Sequence, residues 1–239
     1  MQFAGISDTG KMRENNEDSY CLGELPGRTG DTIRVLLAVA DGLGGESAGE
    51  VASGLAIRIV RERITEGEGP WLDRLRYGIA AAHEAILLRA REDDLRGMGT
   101  TLTAVVVDGR RLYWGHVGDS RVYLVRAGAA RPLTRDHSVA EELLATGQVG
   151  REAARRHRHV LTRALGADGE FAVDTGELDL ADGDWVVLAT DGLTAVVPDE
   201  EIAGAVRGSD TTGACCQRLV GLANDRGGPD NITVVVLRA

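Results

Sequence analysis

Short apolar runs rich in β-branched residues recur along the chain and limit what it can fold into. Each run is bounded by Gly, Asp or Asn, which is the pattern of buried strands separated by turns. An Asp-Gly pair at 108–109 predicts a hairpin, and residues 118–121 and 127–130 are candidate turns for the strands that follow. The sequence therefore predicts an antiparallel meander in the middle of the chain. The runs are 33–40, 102–107, 112–117, 122–125, 185–189 and 232–237.

Amphipathic helices are predicted on both sides of this strand-rich region. Residues 46–66 carry apolar side chains at i, i+4 spacing, and residues 70–94 repeat them at spacings of three and four, so each presents one apolar stripe to a core. Shorter helices are predicted at 198–206 and 211–224. Mixed helices and antiparallel strands indicate an α+β fold. At 239 residues without linker, repeat or low-complexity tract, we expect a single domain over 1–239.

Charge and cysteine content exclude several classes of protein. The net charge of −10 argues against binding the phosphate backbone of nucleic acid and is more compatible with cations. Three cysteines, two of them adjacent, make a poor disulfide framework and favour a reducing compartment. There is no signal-peptide pattern at the N-terminus and no apolar run of about 20 residues, so we expect a cytoplasmic protein without membrane contact.

Carboxylates stand beside the ends of several apolar runs. Asp41 and Asp191 follow such runs directly and each precedes a glycine, Asp230 precedes the last run, and Glu17 and Asp18 precede another segment. Converging strand ends would form a cage of oxygen ligands, which hard divalent cations prefer. A glycine after the acid has no Cβ, so the backbone carbonyl there can approach a metal closely. Two ions about 3.5–4 Å apart can clamp a phosphoryl group.

Any single Asp-Gly pair is more often an ordinary turn. We interpret the pairs at 108–109, 168–169 and 182–183 as turns only. Taken alone, Glu17 or Asp18 would be a solvated charge near the N-terminus. The case for a metal site therefore depends on the whole series of motifs and their order.

In that order, the motifs resemble those of the metal-dependent PP2C-type (PPM) protein serine/threonine phosphatases, in their bacterial single-domain form. The match covers nearly the whole chain. It implies a four-layer α-β-β-α sandwich, with two central antiparallel sheets flanked by helices and Mn²⁺ or Mg²⁺ bound in a cleft at one end. The motifs are Arg-Glu-Asn-Asn-Glu-Asp at 13–18, Ala-Asp-Gly-Leu-Gly-Gly at 40–45, Gly-Thr-Thr-Leu-Thr at 99–103, Gly-Asp-Ser-Arg at 118–121, Ala-Thr-Asp-Gly-Leu at 189–193 and Gly-Pro-Asp-Asn-Ile-Thr at 228–233.

The resemblance implies two metal ions per chain and assigns their ligands. Asp41 would bridge both ions, and the Gly42 carbonyl would bind one of them. Asp191 and Asp230 would complete the first metal site. Glu17 would serve the second ion, directly or through water.

Three further residues receive roles from the same resemblance. Asp18 would support Glu17, and Asp119 would share a third, weaker ion with Asp191; the alternative for Asp119 is a turn acid in a hairpin. Arg13 would hold the substrate phosphate, for which its bidentate fork is suited, although an exposed arginine here could also have no function.

The implied reaction is hydrolysis of phosphoserine and phosphothreonine on proteins, with Arg13, Asp41 and Asp191 as catalytic residues. An activated water attacks phosphorus in line without a phosphoenzyme, while the cations and Arg13 stabilise the transition state. The partners would be phosphorylated proteins, among them a bacterial Ser/Thr kinase and its targets, and we expect a monomer. No arginine lies six residues after any cysteine, which excludes a tyrosine-phosphatase loop.

One residue departs from the family pattern. Animal members carry a histidine directly after the Asp-Gly pair as the proposed general acid, and here that residue is Leu43. The leaving group would then take its proton from metal-bound water or another group. His137 falls in a recurring family stretch and is expected to be structural, whereas His157 and His159 are expected to be surface residues and not acids.

Residues 138–166 correspond to the variable segment that we call the flap. Its arginines at 151, 155, 156 and 158 could meet acidic phosphopeptides, or could simply form a solvated helix face.

There are two alternatives to a protein phosphatase. A non-catalytic regulatory module would require lost ligands, and all are present. The related phosphatases that act on anti-sigma-factor antagonists usually carry sensor domains, for which 239 residues leave no room.

Overall fold

The computed structural model describes residues 1–26, 33–44, 48–92, 95, 97–147, 149–169 and 171–239. All paired strands are antiparallel. The strands are β1 (Gln2–Asp8), β2 (Asp18–Glu24), β3 (Arg34–Leu43), β4 (Gly99–Thr100), β5 (Leu102–Asp108), β6 (Arg111–Val117), β7 (Arg121–Arg126), β8 (Ala129–Pro132), β9 (Asp174–Asp179), β10 (Trp185–Ala189) and β11 (Ile232–Arg238). The helices are α1 (Ala48–Glu66), α2 (Trp71–Glu92), α3 (Val139–Ala145), α4 (Arg151–Ala154), α5 (Asp191–Thr194), α6 (Asp199–Arg207) and α7 (Thr212–Asp225).

The strands form two sheets that pack face to face. One has the order β1-β11-β10-β7-β8, and the other has the order β2-β3-β5-β6-β9, with β4 paired to β3. Alternate residues of a strand point to opposite faces, so in β3 Leu37 and Val39 enter the core between the sheets while Leu36 and Ala38 face the helices. Helices α1 and α2 cover one sheet, and α5–α7 cover the other. The predicted four-layer α-β-β-α sandwich is confirmed.

The long helices lie where their periodicity placed them. Helix α1 ends at the predicted residue, and the predicted start at residue 46 lies outside the described residues. Helix α2 begins directly after Pro70, whose carbonyl accepts a hydrogen bond from the backbone N–H of Arg74. No helix among the described residues is both long and apolar enough to cross a membrane.

The predicted meander is wrong at residues 118–121. This segment joins β6 of one sheet to β7 of the other, whereas the hairpins at Gly109 and at 127–128 are present. Gly118 has φ of +113°, and a Cβ there would lie 2.5 Å from the Cβ of Thr101. Two apolar runs joined by a turn occur both in a hairpin and in a connection between two sheets. The sequence pattern therefore does not distinguish these two structures.

The flap contains α3, α4 and a 3-10 turn at Arg155–His157. Ser138 caps α3, because its Oγ accepts a hydrogen bond from the backbone N–H of Glu141. A single β-bridge between Ser138 and Leu161 joins the two ends of the flap to each other, and a bridge between Thr100 and Leu165 attaches its C-terminal end to the sandwich. Thr100 lies on β4, which pairs with the strand that carries Asp41, so the C-terminal end of the flap is held beside that strand.

Candidate active site

A cleft of about 740 Å³ opens at one end of the sandwich. The end of β3, the start of α5, the start of β11 and the N-terminal loop all meet there. Every residue that the sequence analysis assigned to the metal or phosphate site lines this one cleft. They are Arg13, Glu17, Asp41, Gly42, Asp119, Asp191 and Asp230.

The backbone of Asp41 is fixed by two threonines of the Gly-Thr-Thr motif. Its N–H donates to Thr101 Oγ1 (2.9 Å), and its carbonyl accepts from the Thr101 N–H (2.8 Å) and from Thr100 Oγ1 (2.7 Å). Thr101 Oγ1 also lies 2.8 Å from Ser120 Oγ, next to Asp119. The motif at 99–103 thus holds the backbone of Asp41, and a contact between two hydroxyls joins it to the motif at 118–121 that carries Asp119.

Asp18 lies directly opposite Asp41 in the β2–β3 pairing. Thr190 Oγ1 donates to Asp18 Oδ2 (2.8 Å) and accepts from the backbone N–H of Thr233 (2.9 Å), so one hydroxyl joins β2 to the other sheet. Asp191 is the next residue along the chain and begins α5. This hydroxyl fixes Asp191 relative to Asp18 across the two sheets.

Asn231 anchors the N-terminal loop that carries Arg13 and Glu17. Its Oδ1 accepts from the Glu17 N–H (2.8 Å), and its Nδ2 donates to the carbonyls of Thr9 and Asn15 (2.9 Å each). In the sequence Asn231 is visible only as part of a motif, because nothing in the pattern shows which segment it binds.

Four carboxylates in or beside the cleft, those of Glu17, Asp18, Asp41 and Asp119, are desolvated and are repelled by neighbouring acids. Burial raises the pKa of Asp41 well above its usual value, and the charges of four other aspartates raise it further. Burial likewise raises the pKa of Asp18 to about 7 and that of Asp119 to about 8, with the charge of Asp191 adding to both. The pKa of Glu17 is also raised by burial. Such a group of carboxylates is stable only when it binds protons or cations.

The donor set fits hard divalent cations. All the acidic ligands are oxygen donors, as Mn²⁺ and Mg²⁺ prefer. Two buried oxygens, Asp18 Oδ1 and Asp191 Oδ1, have no hydrogen-bond partner among the described residues, and an unsatisfied buried oxygen is costly unless a cation or water faces it. In the described part of the chain, no three acidic, His or Cys side chains already form a closed metal cluster. The case that the site fits a divalent cation therefore depends on its oxygen donors and on these two buried oxygens without partners.

Arg13 reaches into the cleft from the exposed side. Its Nη2 donates to Asp230 Oδ2 at 2.8 Å, and 53% of its side chain remains accessible. Asp230 accepts this bond in addition to one from the Asn231 N–H. The arginine predicted to hold phosphate thus lies against a predicted metal ligand.

The flap contributes two basic side chains to the cleft, Arg158 and His159. His159 is 61% exposed, as expected for a surface residue, yet its Nδ1 lies 3.7 Å from Asp191 Oδ2. This proximity could not be predicted, because residue spacing within the flap does not show which way the flap folds. His157 and Arg156 are exposed, and the side chains of 151 and 155 lie outside the described set.

Two histidines in ring contact, His116 and His137, lie at the base of the flap. His137 Nδ1 accepts from the Gly118 N–H (3.1 Å), and its Nε2 lies 3.1 Å from Asp174 Oδ2, which agrees with a structural role. His116 lies against it with ring centroids 4.7 Å apart, and burial lowers the pKa of His116 to about 4. The sequence analysis did not single out His116, since a histidine inside an apolar strand gives no signal of its partners.

The cysteines are remote from this chemistry. Cys215 and Cys216 are buried on α7, where burial raises their thiol pKa values to about 11 and about 12. They pack as small apolar residues in the core between α7 and its sheet.

The chain is similar over most of its length to several known proteins. The family model described as "Protein phosphatase 2C" matches residues 13–217. The "Serine/threonine phosphatase stp" of Listeria innocua is 35% identical, and the alignment covers 97% of this chain and 93% of that protein. The catalytic domain of the serine threonine protein phosphatase PstP, solved in complex with two manganese ions, is 39% identical with a TM-score of 0.84, covering 98% of this chain and 96% of that one. The S. agalactiae serine/threonine phosphatase is 33% identical with a TM-score of 0.89 and 98% coverage of both chains.

Proposed function

Since the chain belongs to the protein phosphatase 2C family and is a protein serine/threonine phosphatase, we propose that it hydrolyses phosphoserine and phosphothreonine by direct attack of water, with two Mn²⁺ or Mg²⁺ ions and no phosphoenzyme. One observation carries the proposal. Several carboxylates share a cleft with an accessible arginine, and two buried oxygens, one on Asp191 in the cleft and one on Asp18 opposite Asp41, have no hydrogen-bond partner among the described residues.

The residues that would hold the ions are those that line the cleft. Asp41 would bind both ions and the Gly42 carbonyl one of them, Asp191 and Asp230 would complete the first site, and Glu17 would serve the second ion directly or through water. Asp18 would orient this set from its position opposite Asp41, and Asp119 would serve a third, weaker ion. When bound, the ions would supply Lewis-acid activation of the attacking water and of the phosphoryl oxygens.

Arg13 would bind and orient the substrate phosphate. A guanidinium carries five N–H donors, and the described structure uses one of them for Asp230. The remaining donors can bind phosphate oxygens while the bond to Asp230 keeps the arginine directed at the cleft. Leu43 has no proton to give, so the leaving oxygen takes its proton from water or from another group of the cleft.

Phosphorylated proteins are the proposed substrates, among them a bacterial Ser/Thr kinase and its targets. We propose a monomer that binds neither nucleic acid nor membrane and works in the cytoplasm. The net charge of −10 and three cysteines without disulfides support this proposal.

The test is release of phosphate from a phosphothreonine peptide. We expect turnover with Mn²⁺ and its loss in EDTA.

Asp191→Asn should lower kcat by at least a hundredfold with an unchanged circular dichroism spectrum, because it removes a carboxylate charge from the cleft. Asp182→Asn makes the same change in an exposed Asp-Gly turn and should retain activity within twofold. Full activity of Asp191→Asn, or of the EDTA-treated wild type, would contradict the metal assignment.

A further inference from the structure

The turn that precedes Arg13 crosses the segment 228–230 beside the cleft. Two successive backbone N–H groups, those of Lys11 and Met12, donate to the carbonyl of Gly228 (2.8 and 3.2 Å). Lys11, Met12 and Arg13 are all exposed, so apolar burial does not hold the turn against the protein. Its position depends on these backbone contacts and on the groups that fix them.

Two glycines make the crossing possible. Gly10 has φ of +77°, and a Cβ on it would overlap the carbonyl oxygen of Asp230. Gly228 has φ of +50°, and a Cβ on it would lie 2.5 Å from Asn224 Oδ1 and 2.8 Å from the Lys11 nitrogen. A side chain at either glycine would force the two backbones apart.

One carboxylate joins the turn to helix α7. Asp8 ends β1, and its Oδ1 accepts from the Gly10 N–H (2.8 Å) and from Asn224 Nδ2 on α7 (3.1 Å). An aspartate that accepts from the N–H two residues later fixes a turn. The bond from Asn224 then ties this turn to the helix that leads into Gly228. We call Asp8 and Asn224 the clasp.

The clasp lies outside the reaction site. The side chains that line the cleft in the described part of the chain do not include Asp8 or Asn224. Asn224 Oδ1 is buried and has no hydrogen-bond partner among the described residues, which is costly for an amide. The polar contribution of this amide is therefore the bond that its Nδ2 donates to Asp8.

The clasp fixes the backbone from which Arg13 extends. Arg13 directly follows the two residues that bond to Gly228, and its guanidinium donates to Asp230 (2.8 Å). Because 53% of this side chain is accessible, packing against neighbours confines only part of it. The direction of the guanidinium therefore depends on the position of the backbone and on the bond to Asp230.

We propose that Asp8 and Asn224 are positioning residues that hold Arg13 where it binds the substrate phosphate. Because the clasp acts through Arg13, this inference rests on the proposed function. A binding group that is in place in every molecule binds more tightly than one that is in place part of the time, in proportion to that fraction. If the freed turn places Arg13 correctly in about one molecule in five, the apparent affinity for a phosphopeptide falls about fivefold.

The first experiment removes the carboxylate that accepts both bonds. At saturating Mn²⁺, Asp8→Ala should raise KM for a phosphothreonine peptide about fivefold. Its kcat, and its Kd for Mn²⁺ measured by titration calorimetry, should stay within twofold of wild type. Asp8→Asn retains Oδ1 as the acceptor and should restore KM to within twofold of wild type. Asp182→Ala makes the same truncation in an exposed turn and should leave KM unchanged.

The second experiment asks whether the clasp acts through Arg13. Two residues that act through one group have non-additive effects, whereas independent residues have additive ones. Asp8→Ala should therefore change KM less than twofold when it is made in the Arg13→Ala variant. A fivefold effect in both backgrounds would show that the clasp does not act through Arg13 and would overturn the proposal.

Asn224→Ala serves if Asp8→Ala does not fold, because it removes one bond of the clasp from the other side. It should also raise KM with little change in kcat or Mn²⁺ affinity. An unchanged KM in a folded clasp variant, or an equal loss of Mn²⁺ affinity and phosphopeptide affinity, contradicts the proposal. If the wild type turns over no phosphopeptide, the proposed function fails and the clasp proposal fails with it.

Discussion

Arg13 and Asp230 form the only ion pair within the cleft between an arginine and a predicted metal ligand among the described residues. The contact raises the pKa of Arg13 through its hydrogen bond to Asp230, so the guanidinium remains charged. Because half of the side chain is accessible, the pair adds little to folding stability. The ion pair instead orients Arg13, because it directs the guanidinium at the place where phosphate would bind.

Arg13→Ala should raise KM for a phosphopeptide about tenfold or more, with a smaller effect on kcat, because a charge-assisted contact to the phosphate is lost. Steady-state kinetics at saturating Mn²⁺ provide the measurement. Arg76→Ala, on the exposed face of α2, is the matched control and should leave KM as in wild type. An unaltered KM in Arg13→Ala would remove Arg13 from the phosphate site.

At the scale of elements, the start of α1 is shaped to receive the Glu17 carboxylate. Gly49 is buried there, and a Cβ on it would lie 2.7 Å from Glu17 Oε2 and 2.9 Å from the Gly42 carbonyl carbon. Gly54, on the same helix, is exposed, and a Cβ there would meet only Ser19 Oγ at 3.9 Å. Both glycines lie on α1, and they differ only in the atoms that surround them.

Gly49→Ala should weaken Mn²⁺ binding about tenfold, measured by titration calorimetry, because the methyl group displaces Glu17 from its place. Gly54→Ala should bind Mn²⁺ as wild type does. It should also gain up to about 1 kcal/mol of unfolding free energy, because alanine is the better helix former. Equal Mn²⁺ affinities in the two variants would show that the position of Glu17 does not matter for the metal.

How far the elements could be predicted depended on their burial. Strands β3, β5 and β10 are buried on both faces, so their apolar runs were visible in the sequence. Strands β1 and β9 lie at sheet edges and are partly exposed, and their mixed composition gave no such run. Whether an edge segment forms a strand depends on the strand that it pairs with, and the local sequence does not specify that partner.

At the scale of the whole molecule, part of the acidity belongs to the cleft and not to the outer surface. The net charge is −10, and two divalent ions would add four positive charges at the carboxylates that repel one another most. Folding brings these groups together at a cost, because burial raises the pKa values of Asp18, Asp41 and Asp119. A ligand that binds only the folded state offsets that cost by mass action.

We therefore expect Mn²⁺ to raise the melting temperature measured by calorimetry. At a concentration one hundred times its Kd, the gain is about 2.7 kcal/mol for one site, or roughly 5–10 °C for a chain of this length. Asp191→Asn should lose most of this shift, whereas Asp182→Asn should keep it. A shift of the same size in both variants would mean that Mn²⁺ stabilises the protein elsewhere.

The sequence by itself determined the helices, the buried strands and the candidate residues, because burial periodicity and short motifs are local properties of the chain, and the resemblance of those motifs to a known family implied the four layers. Strand runs, helix stripes and the acids Asp41, Asp191 and Asp230 could all be read without coordinates. Only the tertiary structure decided that residues 118–121 change sheets, that Asn231 holds the loop of Glu17, that His159 faces Asp191, and that Asn224 bonds to Asp8. Each of these depends on contacts between segments far apart in sequence, which side-chain patterns within one segment do not specify.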